Sequence, residues 1–190
     1  SMPDDRGKIT LLFFADGRSI HTYRWVTFFA SDFNVHLCTF DYSREEVDFD
    51  MKKFVDAGVM VHVINRRGAS KFLVPFKVKG LARKVRPDVV HGHYITHYGY
   101  LAALTRRRPL VLTPWGSDVL VEYEEGGRKR KQVAYALSRG DLFTVDGENT
   151  AKKLMELGID PDRIKRIYFG VDTKRFHPSA KEAHMYDGMK

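Results

Sequence analysis

The chain has 190 residues, which is enough for one well-packed core. Hydrophobic residues make up 43% of it and aromatic residues 13%, a composition that excludes an intrinsically disordered protein. The net charge of +8 and the pI near 9.5 favour an anionic partner, such as a nucleic acid, an anionic membrane surface or a phosphorylated small molecule.

Apolar runs and helical patterns alternate along the whole chain. The predicted strands are 8–15, 35–40, 59–64, 88–90, 110–112, 142–145 and 163–169, and the predicted helices between them are 20–30, 49–57, 72–85, 95–104, 128–138 and 148–157. This alternation predicts an α/β fold with a doubly wound, mostly parallel, Rossmann-like sheet in three layers. We expect a single domain over residues 7–170.

The two ends and the single cysteine give further expectations. The opening Ser1-Met2 resembles the remnant of a cleaved tag, so we expect residues 1–6 to be a disordered start and residues 171–190 to be a linker. No apolar run is long enough to span a membrane, and nothing at the start is typical of a signal peptide. Cys38 lies in an apolar run, which predicts a buried thiol. We therefore expect a cytoplasmic protein, with membrane association as an option.

The loop after the first predicted strand, residues 15–19, is a candidate anion site. The chain contains neither Gly-x-Gly-x-x-Gly nor Gly-x-x-x-x-Gly-Lys-Ser/Thr, so it lacks the dinucleotide fingerprint and the phosphate loop of nucleotide hydrolases. Ser19 is predicted to cap the following helix, whose free backbone N–H groups would favour an anion. Arg18 could add a charged contact. A plain turn with an exposed Arg18 is the alternative.

A second candidate site follows the predicted strands 88–90 and 110–112. In open parallel sheets, ligands bind beyond the carboxyl ends of the strands. The polar residues that emerge there are His91, His93, Tyr94, His97, Thr113, Trp115, Ser117 and Asp118. We expect His91 to be a packed, hydrogen-bonded histidine and His93 to lie beyond the strand, facing the crevice. Ser117 is interpreted as a helix cap.

The same stretch gives little support to metal or nucleophilic chemistry. His91 and His93 are alternate residues, which point to opposite faces of a strand. No second cluster of ligands completes a metal site, so we expect none. The chain also lacks Gly-x-Ser-x-Gly and any cysteine with an obvious nearby base.

Two basic runs have different interpretations. The arginines at 106–108 follow a predicted helix C-terminus, where the helix dipole stabilises cations, so a structural explanation suffices. Residues 128–131 lie near a helix start, where the dipole disfavours cations. We expect that run to bind anionic lipid headgroups or else to be a solvated face. The other basic residues assigned to that surface are Arg66, Arg67, Lys71, Lys77 and Lys79.

Four segments carry a family resemblance. They are Ser-Ile-His-Thr-Tyr-Arg-Trp at 19–25, Arg-Pro-Asp-Val-Val-His-Gly-His at 86–93, Thr-Pro-Trp-Gly-Ser-Asp at 113–118 and Gly-Val-Asp-Thr-Lys-Arg-Phe-His-Pro at 170–178. Over residues 8–178 the chain resembles the amino-terminal half of a GT-B glycosyltransferase of family 4 (group 1), the retaining group that uses nucleotide sugars.

The resemblance implies a two-domain enzyme with its active site between two Rossmann-like halves. The amino-terminal half mostly holds the acceptor, and the carboxyl-terminal half holds the sugar nucleotide. This chain would then be an acceptor-side domain that is inactive alone. Its partners would be a nucleotide sugar and an acceptor, with no cofactor and no nucleic acid.

The resemblance also assigns site residues. The implied substrate-binding residues are Gly17, Arg18, Ser19, His21, Tyr94, Trp115 and Gly116, and the implied catalytic residues are Asp118 and His93. Many family members have Thr-x-His-Gly-x-Asp where this chain has Trp115 in place of the histidine. Since an indole cannot exchange a proton, Asp118 or another histidine would support the chemistry, or no such residue is needed.

Two other functions remain open at this point. A stand-alone Rossmann-like domain that binds an anionic ligand would have the same fold and charge, but it would not need the passage at 170–178. One half of a GT-B-shaped nucleotide-sugar epimerase is the other alternative. Hydrolysis or isomerisation of the donor without an added acceptor would favour the epimerase.

Overall fold

Seven parallel strands form one sheet in the computed structural model, which describes residues 7–42 and 50–168. The strands are β1 (Thr10–Phe14), β2 (Asn34–Phe40), β3 (Met60–Ile64), β4 (Val89–His93), β5 (Leu110–Thr113), β6 (Leu142–Val145) and β7 (Ile164–Arg166). Their order is β3-β2-β1-β4-β5-β6-β7, so the chain winds outward in both directions from β1 and β4. The predicted doubly wound Rossmann-like sheet is confirmed.

The described residues form six α-helices, which connect the strands. They are α1 (Ile20–Ala30), α2 (Met51–Asp56), α3 (Ser70–Val85), α4 (Tyr100–Leu104), α5 (Gly127–Arg139) and α6 (Glu148–Glu156). Two π-helical segments, Ile95–Gly99 and Asp118–Glu122, and a 3-10 turn at Pro161–Arg163 complete the described elements. The predicted tag remnant and linker, and the motif at 170–178, lie outside the described residues.

The sheet separates two apolar cores, which gives the three predicted layers. Alternate residues of β1 point to opposite faces: Leu12 and Phe14 join one core, and Leu11 and Phe13 join the other. Helices α3 to α6 cover the first face, whereas α1 and α2 cover the second. Because both faces are covered, the central strand β1 is almost continuously apolar rather than alternating.

Two local predictions are confirmed. Ser19 caps α1, since its Oγ accepts the backbone N–H of His21 at 3.1 Å. Cys38 is buried in β2, and burial raises the pKa of its thiol well above the ordinary range.

A close backbone approach places the segment after β4. A Cβ on Gly92 would lie 2.7 Å from the Cα of Gly99 and 2.9 Å from the Cβ of Ala102. Only glycine therefore allows the π-helical segment and α4 to lie directly on β4. This contact fixes the residues that emerge at the carboxyl end of β4.

Candidate functional site

A cleft of about 280 Å³ lies at the carboxyl edge of the sheet, on the side predicted for a ligand. Each strand from β1 to β5 contributes to it, and β1 and β4 lie at the point where the winding direction reverses. The lining residues are Asp16 and Arg18 after β1, Phe40 and Tyr42 at the end of β2, Arg66 after β3, Tyr94, His97 and Tyr98 after β4, and Trp115 after β5.

The loop after β1 presents a guanidinium group rather than free amides. The backbone N–H of Gly17 donates to Thr39 Oγ1 at 2.9 Å, and that of Arg18 donates to Asp16 Oδ1 at 2.9 Å. Side chains therefore already satisfy the amides of these two residues, which precede the helix start. Any anion contact from this loop would come from the Arg18 side chain.

Arg18 is held in place at the edge of the cleft. Its Nη2 lies 2.7 Å from Asp16 Oδ2, and its guanidinium carbon lies 4.1 Å from the centre of the Tyr42 ring. The hydrogen bond to Asp16 raises the pKa of Arg18 above its ordinary value. Asp16 thus orients this cation and partly neutralises it.

Two buried tyrosines form the floor of the cleft. The hydroxyl of Tyr98 contacts that of Tyr42, lies 3.4 Å from Thr39 Oγ1 and accepts the backbone N–H of Phe40 at 3.4 Å. Burial raises the pKa of both phenols, so they are neutral hydrogen-bonding groups at neutral pH. Sequence reasoning missed Phe40 and Tyr42, although both lie at the end of a predicted strand.

The rim of the cleft is aromatic and positively charged. The rings of Tyr94 and His97 stack with their centres 5.8 Å apart, and the guanidinium carbon of Arg66 lies 4.2 Å from the centre of the Phe40 ring. Desolvation in the cleft lowers the pKa of His97, and the nearby charge of Arg66 lowers it further. His97 is therefore a neutral imidazole at neutral pH.

His93 does not occupy the predicted position. It is the last residue of β4 and is 0% exposed, so it lies inside the fold rather than beyond the strand and facing the crevice. Aromatic rings surround it, including Trp25 at 5.4 Å and Trp115 at 6.1 Å between ring centres. Burial lowers its pKa to about 3. A catalytic role for His93 stays a prediction, and its present position gives it no access to the cleft.

His91 behaves as expected. It is 6% exposed, and its Nε2 lies 2.6 Å from Thr113 Oγ1 on the neighbouring strand. Burial keeps its pKa well below the ordinary value. The interpretation of His91 as a packed, hydrogen-bonded histidine is confirmed.

Asp118 joins the loops that follow β4 and β5. It is 0% exposed, and its carboxylate accepts the backbone N–H groups of Ile95 at 2.6 Å and of Trp115 and Val119 at 3.1 Å each. Burial raises its pKa to about 6, although the three backbone hydrogen bonds favour the ionised form. This geometry is that of a positioning residue, and its predicted catalytic role stays a prediction.

The remaining predicted residues meet around Trp115. The Trp115 indole packs nearly perpendicular to the rings of His21, at 5.7 Å, and Tyr94, at 6.2 Å between ring centres. Gly116 follows it with φ +98, a conformation that favours glycine. Ser117 does not cap the segment after β5 as interpreted, because Asp118 accepts the local N–H groups and Ser117 Oγ lies 3.5 Å from Tyr94 Oη.

The predicted lipid surface divides into two different parts. At 128–131, Lys129 lies 2.8 Å from Glu125, and Arg130 Nε donates to the carbonyl of Tyr123 at 3.0 Å, so acidic and carbonyl oxygens offset much of this run. At the start of α3, three large apolar side chains are exposed among cations. They are Phe72 (71% exposed), Leu73 (52%) and Phe76 (72%).

The part of the chain that the structure describes has neither a metal-binding cluster nor a membrane-spanning helix. No three His, Cys, Asp or Glu residues there are grouped so that they could hold a metal ion. None of the described helices combines the length and the apolar character needed to cross a bilayer.

The profile of the glycosyl transferase 4-like family matches residues 10–147, which includes β1 to β6 and most of the cleft. The chain belongs to this family. A relative in Staphylococcus aureus, the capsular polysaccharide biosynthesis glycosyltransferase CapH, is 23% identical over 174 residues, which cover 87% of this chain and 47% of CapH. The predicted family is therefore confirmed.

Solved structures with the same fold include two kinds of nucleotide-sugar protein. Anabaena Alr3699/HepE, in complex with UDP and glucose, superposes with a TM-score of 0.64 at 18% identity, over 90% of this chain and 48% of that protein. A putative UDP-N-acetylglucosamine 2-epimerase from Listeria monocytogenes gives 0.63 at 16% identity, over 83% and 44%. At these identities the likeness shows the fold, and the chain spans about half the length of these proteins.

Proposed function

We propose that this chain is the acceptor-side domain of a retaining glycosyltransferase that uses a nucleotide sugar. The observation that carries the proposal is the family match, because it extends over the strands whose carboxyl ends form the cleft. The chain spans only about half of its relatives, so we assign the sugar-nucleotide half to another part of a longer protein. The nucleotide sugar would be a substrate, and no cofactor or nucleic acid is part of the proposal.

The cleft has the chemistry that such a domain needs. Retaining transfer requires stabilisation of a leaving diphosphate while an oxocarbenium-like centre forms, and cations can supply that stabilisation. Arg18 and Arg66 bring positive charge to the cleft, and the rings of Tyr94 and Trp115 provide apolar walls. The neutral imidazole of His97 would accept a hydrogen bond from an acceptor hydroxyl.

Calorimetry with UDP-glucose tests whether the nucleotide sugar binds to this domain or to the second half of the enzyme. We expect no measurable binding by the 190-residue chain and clear binding by a protein extended through the second half. Tight binding by the short chain alone would mean that the nucleotide site lies here and would overturn the acceptor-side assignment.

A cleft variant tests the transfer reaction itself. In the extended protein, Arg66→Gln should lower the rate of glycosyl transfer about tenfold or more, since it removes a cation from the cleft. Arg83→Gln, on the exposed side of α3, is the matched control and should leave the rate unchanged. Equal rates for the two variants would remove Arg66 from the site.

The likeness to epimerases favours one second candidate, half of a nucleotide-sugar epimerase. The family match and CapH favour transfer over epimerisation. Conversion of UDP-N-acetylglucosamine by the extended protein without any acceptor would establish the epimerase instead.

We also propose that the acceptor side associates with an anionic membrane surface on the cytoplasmic side. Phe72, Leu73 and Phe76 are exposed on the first two turns of α3, and the exposed cations Lys71 and Lys77 lie beside them. An apolar strip flanked by basic residues is typical of a helix that lies in the membrane interface. Arg66 lines the cleft and comes shortly before α3, so this strip follows the proposed acceptor site along the chain.

Vesicle sedimentation tests the membrane surface. The double variant Phe72→Ser/Phe76→Ser should bind phosphatidylglycerol vesicles much more weakly, because two exposed aromatic anchors are removed. Phe28→Ser, which removes an equally exposed phenylalanine from α1 on the other face of the sheet, should retain it. Unchanged binding by the double variant would leave the start of α3 as a solvated face.

A further inference from the structure

A second cavity, of about 170 Å³, lies at the amino edge of the sheet, away from the cleft. Its wall contains five arginines from three separate segments: Arg106, Arg107 and Arg108 before β5, Arg139 at the end of α5, and Arg163 just before β7. We call these five residues the arginine pocket. The four residues of β5 separate its two ends by roughly 13 Å, so the pocket and the cleft are distinct sites.

The charge in the arginine pocket is largely uncompensated. Asp141 pairs with Arg108, whose Nε lies 2.9 Å from Asp141 Oδ1. Within residues 7–42 and 50–168, no other carboxylate forms an ion pair with the five arginines. Arg139 instead lies over the Tyr135 ring, 5.5 Å from its centre. Five arginines therefore line one cavity, and a single carboxylate of the described residues pairs with them.

Arg163 is held by one hydrogen bond and has a second, unpaired donor. Its Nη2 donates to the carbonyl of Gly140 at 2.7 Å, and its Nε is buried without an acceptor in the described part of the chain. Gly140 itself is tightly held, since a Cβ there would lie 2.6 Å from the Phe143 ring. The pocket thus has a rigid floor and an unsatisfied buried donor, which costs free energy unless a ligand accepts from it.

We propose that the arginine pocket binds an oligophosphate, a compound with two or more linked phosphate groups. Guanidinium groups bind phosphate oxygens through paired N–H donors, and several of them together favour a ligand with several negative charges. The helix dipole stabilises the positive charges of Arg106, Arg107 and Arg108 at the helix C-terminus. It does not explain why Arg139 and Arg163 line the same cavity. This inference is independent of the proposed transferase activity.

Calorimetry of the 190-residue chain with inorganic pyrophosphate tests the site. At about 150 mM salt, where exposed charges are largely screened, we expect saturable binding with one site per chain. Arg107→Gln/Arg139→Gln should weaken it about tenfold or more, because each arginine contributes charge-assisted hydrogen bonds. Arg18→Gln/Arg66→Gln, which removes two cleft arginines, is the matched control and should leave the affinity unchanged.

Three results would overturn the proposal: no binding at this salt concentration, an equal loss in both double variants, or an unchanged affinity in Arg107→Gln/Arg139→Gln. Thermal melting of each variant checks that the fold is intact.

The phosphate source is identified by competition. Displacement of pyrophosphate by vesicles that contain phosphatidylinositol 4-phosphate, but not by phosphatidylcholine vesicles, indicates a lipid headgroup. Displacement by soluble triphosphate alone indicates a free metabolite.

Discussion

Asp118 connects the two loops that carry Tyr94 and Trp115, and it does so as a buried charge. Its three backbone hydrogen bonds stabilise the carboxylate, while burial destabilises it, and burial dominates because the pKa rises from 3.8 to about 6. The folded protein therefore binds this proton more tightly than the unfolded chain does. The contribution of Asp118 to stability is fully present below pH 3.8 and is lost as the pH rises through 6.

Asp118→Asn should remove this pH dependence. The pKa shift of Asp118 corresponds to roughly 3 kcal/mol. Between about pH 4 and pH 7, the free energy of unfolding of the native protein should therefore fall by up to that amount relative to that of the variant. The variant should also be less stable near pH 4, because its amide nitrogen presents a donor to a backbone N–H. Urea denaturation at both pH values measures the difference.

The variant also provides its own control, since all other titrating groups are common to both proteins. A constant difference between the two unfolding free energies across this pH range would show that Asp118 does not titrate as the structure indicates. Loss of the cooperative transition in the variant would be uninformative about titration, and Asp118→Ser then supplies the same comparison with a smaller acceptor.

At single residues, sequence reasoning succeeded where chemistry is local. The cap at Ser19 and the packed His91 follow from residue type and position, and the structure shows both. It failed for His93 because the end of β4 extends further than the apolar run at 88–90. Trp25 and Trp115, distant in sequence, then cover the imidazole, and no local pattern reports such a contact.

At the scale of elements, β4 and the segment behind it act together. Gly92 and Gly99 allow their backbones to come into contact, and the chain then forms the π-helical turn Ile95–Gly99 before α4. Tyr94, at the start of that turn, adopts φ +55, which is unusual for a residue with a side chain. The turn positions Tyr94 and His97 in the cleft, so its geometry determines the shape of the rim.

Gly92→Ala should destabilise the fold and distort the cleft. The new methyl group would lie 2.7 Å from backbone, which cannot move aside as a flexible side chain can, and overpacking of this kind costs about 1–3 kcal/mol. Gly80→Ala is the matched control, because that glycine lies inside α3 with open space around it. There the substitution should stabilise the protein by about 0.5–1 kcal/mol.

Chemical denaturation of the two alanine variants measures both effects. Opposite signs of the change in unfolding free energy are expected. If both variants gained stability, the close packing of the turn on β4 would be contradicted.

The elements themselves were largely predictable. Buried parallel strands are short apolar runs, and their alternation with helical patterns leaves few possible topologies. The structure places all seven strands within a few residues of their predicted positions. The π-helical turns were not predicted, because they depend on contacts between segments, such as that of Gly92 with Gly99, rather than on periodicity.

At the scale of the whole molecule, the positive charge is divided among separate surfaces. Arg18 and Arg66 lie in the cleft, and the arginine pocket lies at the opposite edge of the sheet. The start of α3 combines Lys71 and Lys77 with exposed aromatic side chains. Composition predicted an anionic partner but not this division, since charge counts carry no information on which residues converge.

The membrane surface makes a prediction about salt. Attraction between cations and anionic lipid is screened over about 10 Å at 0.1 M salt and over about 3 Å at 1 M, whereas burial of an aromatic ring is not weakened in this way. Vesicle binding by the native chain should therefore fall as salt increases but level off above zero.

Lys71→Gln/Lys77→Gln should bind weakly at all salt concentrations, with little dependence on salt. Phe72→Ser/Phe76→Ser should retain the salt dependence and lose the residual binding. Sedimentation with phosphatidylglycerol vesicles across this range separates the two contributions, and the same salt profile in all three proteins would show that the vesicles bind a different surface.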